Sequence, residues 1–275
     1  MPTKKKAAAK PAAKGNVKAA ETPEGKKSAW LTYSPTEKKE LEKLAKGYRA
    51  FLTACKTERE SVTETIRQAE AAGYVELSRA TRRGRKLRPG DKVYTVGMKK
   101  TIALFHIGSA SLEQGLSILG AHIDSCRLDL KQNPLYEDGG LAFFDTHYYG
   151  GIKKYQWVAL PLALHGVVVK KDGRVVEVKL GDGEDDPVFC VTDLLPHLAQ
   201  EQMEKKAAKV VEGENLDVLV GSLPLAKKEK DAVKFGVLAL LKEQYGISED
   251  DFLSAELSLV PAGRAREMGF DRSLI

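Results

Sequence analysis

Residues 155–180 read YQWVALPLALHGVVVKKDGRVVEVKL, and this stretch sets the architecture. Two runs rich in valine and leucine flank Lys170-Lys171-Asp172-Gly173. β-branched side chains suit a pleated, half-buried surface better than a helix. An Asp-Gly pair between such runs supplies the positive φ that a tight hairpin needs, so two antiparallel strands are expected. Working outward, Val188–Thr192 and Glu256–Pro261 read as further strands, and Leu116–Asp124 reads as a buried strand ending in polar groups. Val93, Tyr94 and Val96 alternate toward Ile102-Ala103-Leu104-Phe105 as two more. Helices flank this block. Ser34-Pro35-Thr36-Glu37 is an N-cap, a proline at the first helical position and a capping glutamate, followed by Leu41, Leu44, Tyr48, Phe51 and Cys55 at helical spacing. Thr57-Glu58-Arg59-Glu60 repeats the box, and Gly73 ends that second helix. Asp193–Lys209 and Lys230–Tyr245 read as helical, the latter closed by Gly246. The acidic run Asp182–Asp186 and the basic stretch 78–92 read as exposed turn and loop. The whole is an α/β chain whose helix-and-strand frame is interrupted by an inserted β-rich domain.

The chain has 275 residues, 43% of them hydrophobic and 30% charged, which excludes wholesale disorder. Its three cysteines, Cys55, Cys126 and Cys190, are odd in number and form no C-x-x-C pair, so neither a disulfide framework nor a structural zinc knuckle is expected. A reducing, cytoplasmic setting follows. No run of apolar residues is long enough for a membrane span, and no secretory signal is present. The sequence pI near 9.0 is a property of one end. Residues 1–27 hold eight of the 44 basic groups and two of the 38 acidic ones, which leaves 36 of each in the remainder. The tail is expected to be a solvated, disordered basic segment, and the neutral body gives no reason to expect a nucleic-acid partner.

His122 and Asp124 close the apolar run 116–124. A period of two puts both on one face of a strand, where an imidazole can hold a metal while the carboxylate steadies it. The same pair equally suits a solvated or structural role, and the spacing alone does not choose. Cys126 lacks a visible base and reads as a buried structural thiol. Gly139-Gly140 and Gly150-Gly151 lack the spacing of a phosphate cradle. His147, His165 and His197 are scattered and read as ordinary histidines.

Longer strings add what spacing does not. GAHIDS (120–125), RLDLK (127–131) and NPLYEDGGLAFFDTHYYGGIKKYQW (133–157) resemble the aspartyl aminopeptidase family of zinc-dependent exopeptidases, in its bacterial branch. DPVFCVTDLLPHLAQEQ (186–202), LVGSLPL (219–225) and ELSLVPAGRAREMGFDRSLI (256–275) are similar to the same family in the same order. The likeness runs from about residue 28 to Ile275.

This resemblance implies parts of a metallopeptidase catalytic domain at 28–131 and 247–275, with an inserted dimerisation domain at 132–246. It implies two zinc ions per complete site, His122 as a metal ligand and Asp124 as the carboxylate that orients it. His197 corresponds to a histidine that reaches the active site of a partner subunit. The implied activity is removal of N-terminal residues from peptide substrates by metal-activated water, in a homo-oligomer of dimers that assemble further. Cys126 stands where the family usually has proline. The family's other ligands and its base lie beyond the segment matching Leu274-Ile275, so the 275 residues alone are expected to be the N-terminal part and inactive. The rival expectation is a non-catalytic assembly or binding module.

Overall fold

The computed structural model describes residues 28–225 and 230–275; the expected basic tail lies outside them. Two compact units divide between Lys46 and Gly47. The described part of the first carries α1 (Ala29–Thr32) and the start of α2 (Pro35–Ala54). Ser34 and Glu37 form the expected reciprocal cap. The Glu37 N–H donates to Ser34 Oγ at 3.3 Å, and the Ser34 N–H donates to Glu37 Oε2 at 2.7 Å.

In the second unit, α3 (Glu58–Ala71) starts on the Thr57–Glu60 capping box, and Gly73 follows it at φ +86°. Then come β1 (Val75–Glu76), α4 (Leu77–Ala80), β2 (Lys92–Gly97) and β3 (Thr101–His106). These strands form a three-stranded sheet in the order β1-β2-β3, and the basic stretch between α4 and β2 is a largely exposed loop, as expected.

The larger sheet has seven strands. They are β4 (Arg127–Asp138), β5 (Leu141–Tyr149), β6 (Leu162–Val169), β7 (Val175–Leu180), β8 (Cys190–Val191), β9 (Val218–Gly221) and β10 (Ala255–Pro261). Their order is β7-β6-β10-β4-β5-β9-β8, with every neighbouring pair antiparallel. The β6–β7 hairpin turns at Asp172-Gly173 as expected, with Gly173 at φ +83°. Gly139 and Gly140, both at positive φ, make the two-residue turn between β4 and β5. β10 comes last in sequence and sits in the middle, pairing with β6 along its whole length and with β4 on its other edge.

α5 (Gln200–Met203) is short, and α6 (Ala232–Tyr245) packs across β4, β5 and β9. Glu137 on β4 holds the start of α6 by accepting the N–H groups of Val233 and Lys234 at 2.8 and 3.0 Å. Gly246, at φ +67°, closes the helix. Leu128, Leu162, Leu164, Leu216, Leu259 and Phe144 form the heart of the core, where Phe144 meets Phe252 edge to face at 5.9 Å.

Two expectations need correction. The run 116–124 is not a buried strand but irregular chain with Leu116, Ile118 and Leu119 exposed. Apolar character marks a strand only when a partner is at hand, and no strand among the described residues pairs with it. Asp193–Lys209 is not one helix. Only Gln200–Met203 is α-helical, with a 3₁₀ turn at Ala207–Lys209. Pro196 lacks a donor, and Asp193 Oδ1 accepts the Leu194 N–H at 2.8 Å, so the segment satisfies its backbone in turns.

Asp186 closes the expected acidic turn by accepting the N–H groups of Gly181 and Gly183, but Asp182 faces inward. Its carboxylate takes a hydrogen bond from Lys56, whose ammonium also donates to the Pro261 and Gly263 carbonyls at 2.8 Å each. His165, fully buried on β6, sits between Glu60 Oε1 at 2.9 Å and Asp182 Oδ2 at 3.2 Å. Together these groups tie the start of α3 and the loop before it to the middle of β6, to the chain just after β7 and to the end of β10.

Two predictions follow from this frame. Gly166 lies at φ +142°, and a Cβ there would stand 2.0 Å from the Glu256 carbonyl oxygen across the β6–β10 pair. Gly166→Ala should cost about 1–3 kcal/mol in urea unfolding through overpacking. Burial of Asp251 works against its ionisation, yet Lys170 and the Ser248 hydroxyl and N–H hold its pKa down at about 2. A depressed acid contributes stability above its unfolded pKa of about 4 and loses it as pH falls. Asp251→Asn should therefore flatten the pH dependence of the melting temperature between about pH 4 and 2.

Candidate functional site

The site grows from the first residue of β4. Arg127 pairs in register with Tyr149 at the end of β5, which brings the two side chains together. The guanidinium is nearly buried, with 9% of its side chain exposed. It binds Glu58 Oε1 on α3 at 2.9 Å and Asp129 Oδ1 at 2.7 Å, and it donates to the Ser125 carbonyl at 3.3 Å. Asp129 is in turn held by the Ser258 hydroxyl of β10 at 2.7 Å. The guanidinium carbon lies over the Tyr149 ring, 3.9 Å from its centre, a cation–π contact that holds the ring.

From that ring the Tyr149 hydroxyl donates to Asp124 Oδ2 at 2.9 Å. The other carboxylate oxygen of Asp124 lies 3.2 Å from His122 Nδ1, and the Asp124 carbonyl oxygen lies 3.0 Å from the same nitrogen. Both neighbours of Nδ1 are acceptors, so in the neutral ring Nδ1 carries the proton and Nε2 keeps its lone pair. The imidazole side chain is 85% exposed. The hydrogen bond from Tyr149 holds the Asp124 carboxyl below the usual carboxylate range and pushes the Tyr149 phenol up.

The structure thus brings His122 and Asp124 together, though through a local contact in irregular chain. His197 is exposed on the turn before α5, beside Pro196, Gln200 and Met203, and makes no contact with that pair. Cys126, expected to be a buried thiol, is exposed. Gly150, at φ +82°, leaves room for it: a Cβ at 150 would stand 3.2 Å from Cys126 Sγ. His147 stacks on Tyr148 at 5.2 Å, and His165 belongs to the interior network already described. Sequence reading passed over Arg127 and Tyr149. Their only signal was membership of the strings RLDLK and HYYGG, because the partnership arises across the β4–β5 register.

A neutral imidazole oriented by a carboxylate through one nitrogen is a proper zinc donor through the other. His122 and Asp124 fit that part of a zinc site. A protein zinc site needs three or four donors, and among the described residues no group of three or more His, Cys, Asp or Glu side chains is arranged to hold a metal.

Residues 51–275 match the family described as Aminopeptidase I zinc metalloprotease (M18). The chain is 56% identical over 250 residues to a probable M18 family aminopeptidase 1 of Clostridium acetobutylicum, covering 90% of this chain and 54% of the relative. A crystal structure of an M18 family aminopeptidase from Thermotoga maritima superposes with a TM-score of 0.82 at 45% identity, over 90% of this chain and 53% of the other. At 18% identity and a TM-score of 0.61, the mApe1 dodecamer of S. cerevisiae shares the fold over 85% of this chain and 51% of its own. The chain therefore spans about half the length of the relatives it matches.

Arg127→Met would strand Glu58 and Asp129 without their shared cation. It should cost about 3–5 kcal/mol in denaturant unfolding at neutral pH, the penalty of an uncompensated buried charge.

Proposed function

The chain belongs to the M18 family of aminopeptidase I zinc metalloproteases, and from that premise we propose that the protein removes N-terminal residues from peptides using water activated on zinc. Within this function His122 contributes one metal ligand and Asp124 orients it. The observation that carries the assignment is the His122 ring, with Nδ1 held at 3.0–3.2 Å by Asp124 and the side chain 85% exposed. Zinc would supply the Lewis acid and the nucleophilic water. The task of these residues is to hold one imidazole in a single tautomer and orientation. The family expectation of two zinc ions per complete site is part of the same proposal. Residues 28–275 alone are proposed to be inactive, since the described residues present one such arm and no group of three donors.

The inserted dimerisation domain is proposed to be the seven-stranded sheet and its covering helix α6. Continuous pairing supports boundaries that follow the sheet. β10, placed by sequence outside 132–246, lies between β4 and β6. A homo-oligomer is in keeping with the dodecamer named for mApe1, and the exposed His197 is free to reach a partner's site. No described helix is long and apolar enough to cross a membrane. The cysteines are free, which fits a cytoplasmic setting. A second reading, a non-catalytic assembly module, takes support from the same want of a three-donor group among the described residues.

The protein as expressed from its own gene should release product from aspartyl, glutamyl or leucyl chromogenic amides and lose that activity to a chelator. Asp124→Ala should weaken zinc affinity by roughly 10- to 100-fold. His197→Ala should lower turnover only in the assembled form. Turnover that ignores the chelator, or its absence in that protein, sinks the enzyme reading in favour of the module.

A further inference from the structure

The His122 arm sits on chain with little of its own to hold it. Residues 116–126 form no regular secondary structure, and His122 is exposed. Among the described residues, no backbone hydrogen bond ties 116–125 to another segment. Two side-chain bonds do so: the Tyr149 hydroxyl to Asp124 Oδ2 at 2.9 Å, and Arg127 Nη1 to the Ser125 carbonyl at 3.3 Å. Both originate in one stacked pair on the seven-stranded sheet. A free Asp124 side chain would sample several rotamers, and His122 Nδ1 would lose its carboxylate acceptor in most of them, keeping only the Asp124 carbonyl at 3.0 Å.

We propose that Tyr149 is a positioning residue for the metal arm: its hydroxyl clamps Asp124 Oδ2, which turns Oδ1 toward His122 Nδ1, and Arg127 beneath the ring fixes where that hydroxyl stands. The clamp rests on the zinc reading of His122 for its purpose but not for its geometry. The seven-stranded sheet thereby reinforces, through Tyr149 and Asp124, the Nδ1–H tautomer that the Asp124 carbonyl also favours. Replacing the hydroxyl by hydrogen removes the clamp while leaving the ring on Arg127. Tyr149 is partly exposed, so Tyr149→Phe keeps the fold.

The experiment is ¹⁵N NMR of the His122 ring in the 275-residue chain at about pH 8, above the ordinary histidine pKa of about 6.5. The unaltered chain should show a protonated Nδ1 and a bare Nε2. Tyr149→Phe should give averaged nitrogen shifts from mixed tautomers, with an unchanged melting temperature. Asp124→Ala should give the same signature, and adding Tyr149→Phe to it should change nothing further. In the zinc-loaded protein expressed from its own gene, Tyr149→Phe should raise the zinc dissociation constant about tenfold. Unchanged His122 shifts in Tyr149→Phe overturn the clamp, as do effects of the two substitutions that simply add. Zinc binding indifferent to His122→Ala would defeat the zinc reading instead, while mixed tautomers in Tyr149→Phe would still stand for the clamp.

Discussion

The guanidinium of Arg127 is the contact on which the rest depends. It is the first residue of β4, nearly buried, and it joins α3 through Glu58, the sheet through Asp129 and Ser258, and β5 through the face of Tyr149. A buried charge is tolerable only when its donors are spent on good acceptors, and here they are spent on two carboxylates and a carbonyl. That need ties the helix, the sheet and the loop at 120–125 to one point. Arginine suits the place better than lysine because its plane can bind carboxylates in-plane and cover a ring with its face.

A second constraint is the late arrival of β10. The sheet is open between β4 and β6 until residues 255–261 close it. This pairing spans more than a hundred residues from β4, so the sheet is assembled by non-local contacts. The buried set of Lys56, Glu60, His165 and Asp182 secures the same region, because Lys56 binds the Pro261 carbonyl at the end of β10. Gly166 marks how close that approach is, since no side chain fits between β6 and the Glu256 carbonyl.

The chain belongs to the M18 family, and its described residues form a defined frame around His122. They provide a rigid sheet, a tyrosine standing on an arginine, and one imidazole facing outward. The apolar side chains of Leu116, Ile118 and Leu119, just before His122, are exposed. His122 thus lies on chain whose own packing is slight and which is tied to the sheet by Tyr149 and Arg127.

Local chemistry was legible in the sequence wherever neighbours in the chain decide the outcome. The capping boxes at Ser34 and Thr57, the Asp172-Gly173 hairpin and the Gly246 stop all form as read, because each depends on residues within a few positions. The pairing of His122 with Asp124 was legible for the same reason. Where the partner is distant, reading failed. Leu116–Asp124 has the composition of a buried strand but no strand to pair with among the described residues, and Asp193–Lys209 is broken where Asp193 and Pro196 favour turns. The sequence by itself determined the two capping boxes, the Asp172-Gly173 hairpin and the Gly246 helix end. Only the tertiary structure decided that β10 lies between β4 and β6, that Cys126 is exposed, and that Arg127 and Tyr149 stand behind Asp124, because those facts depend on which strands pair and in what register, beyond the reach of neighbours in the chain.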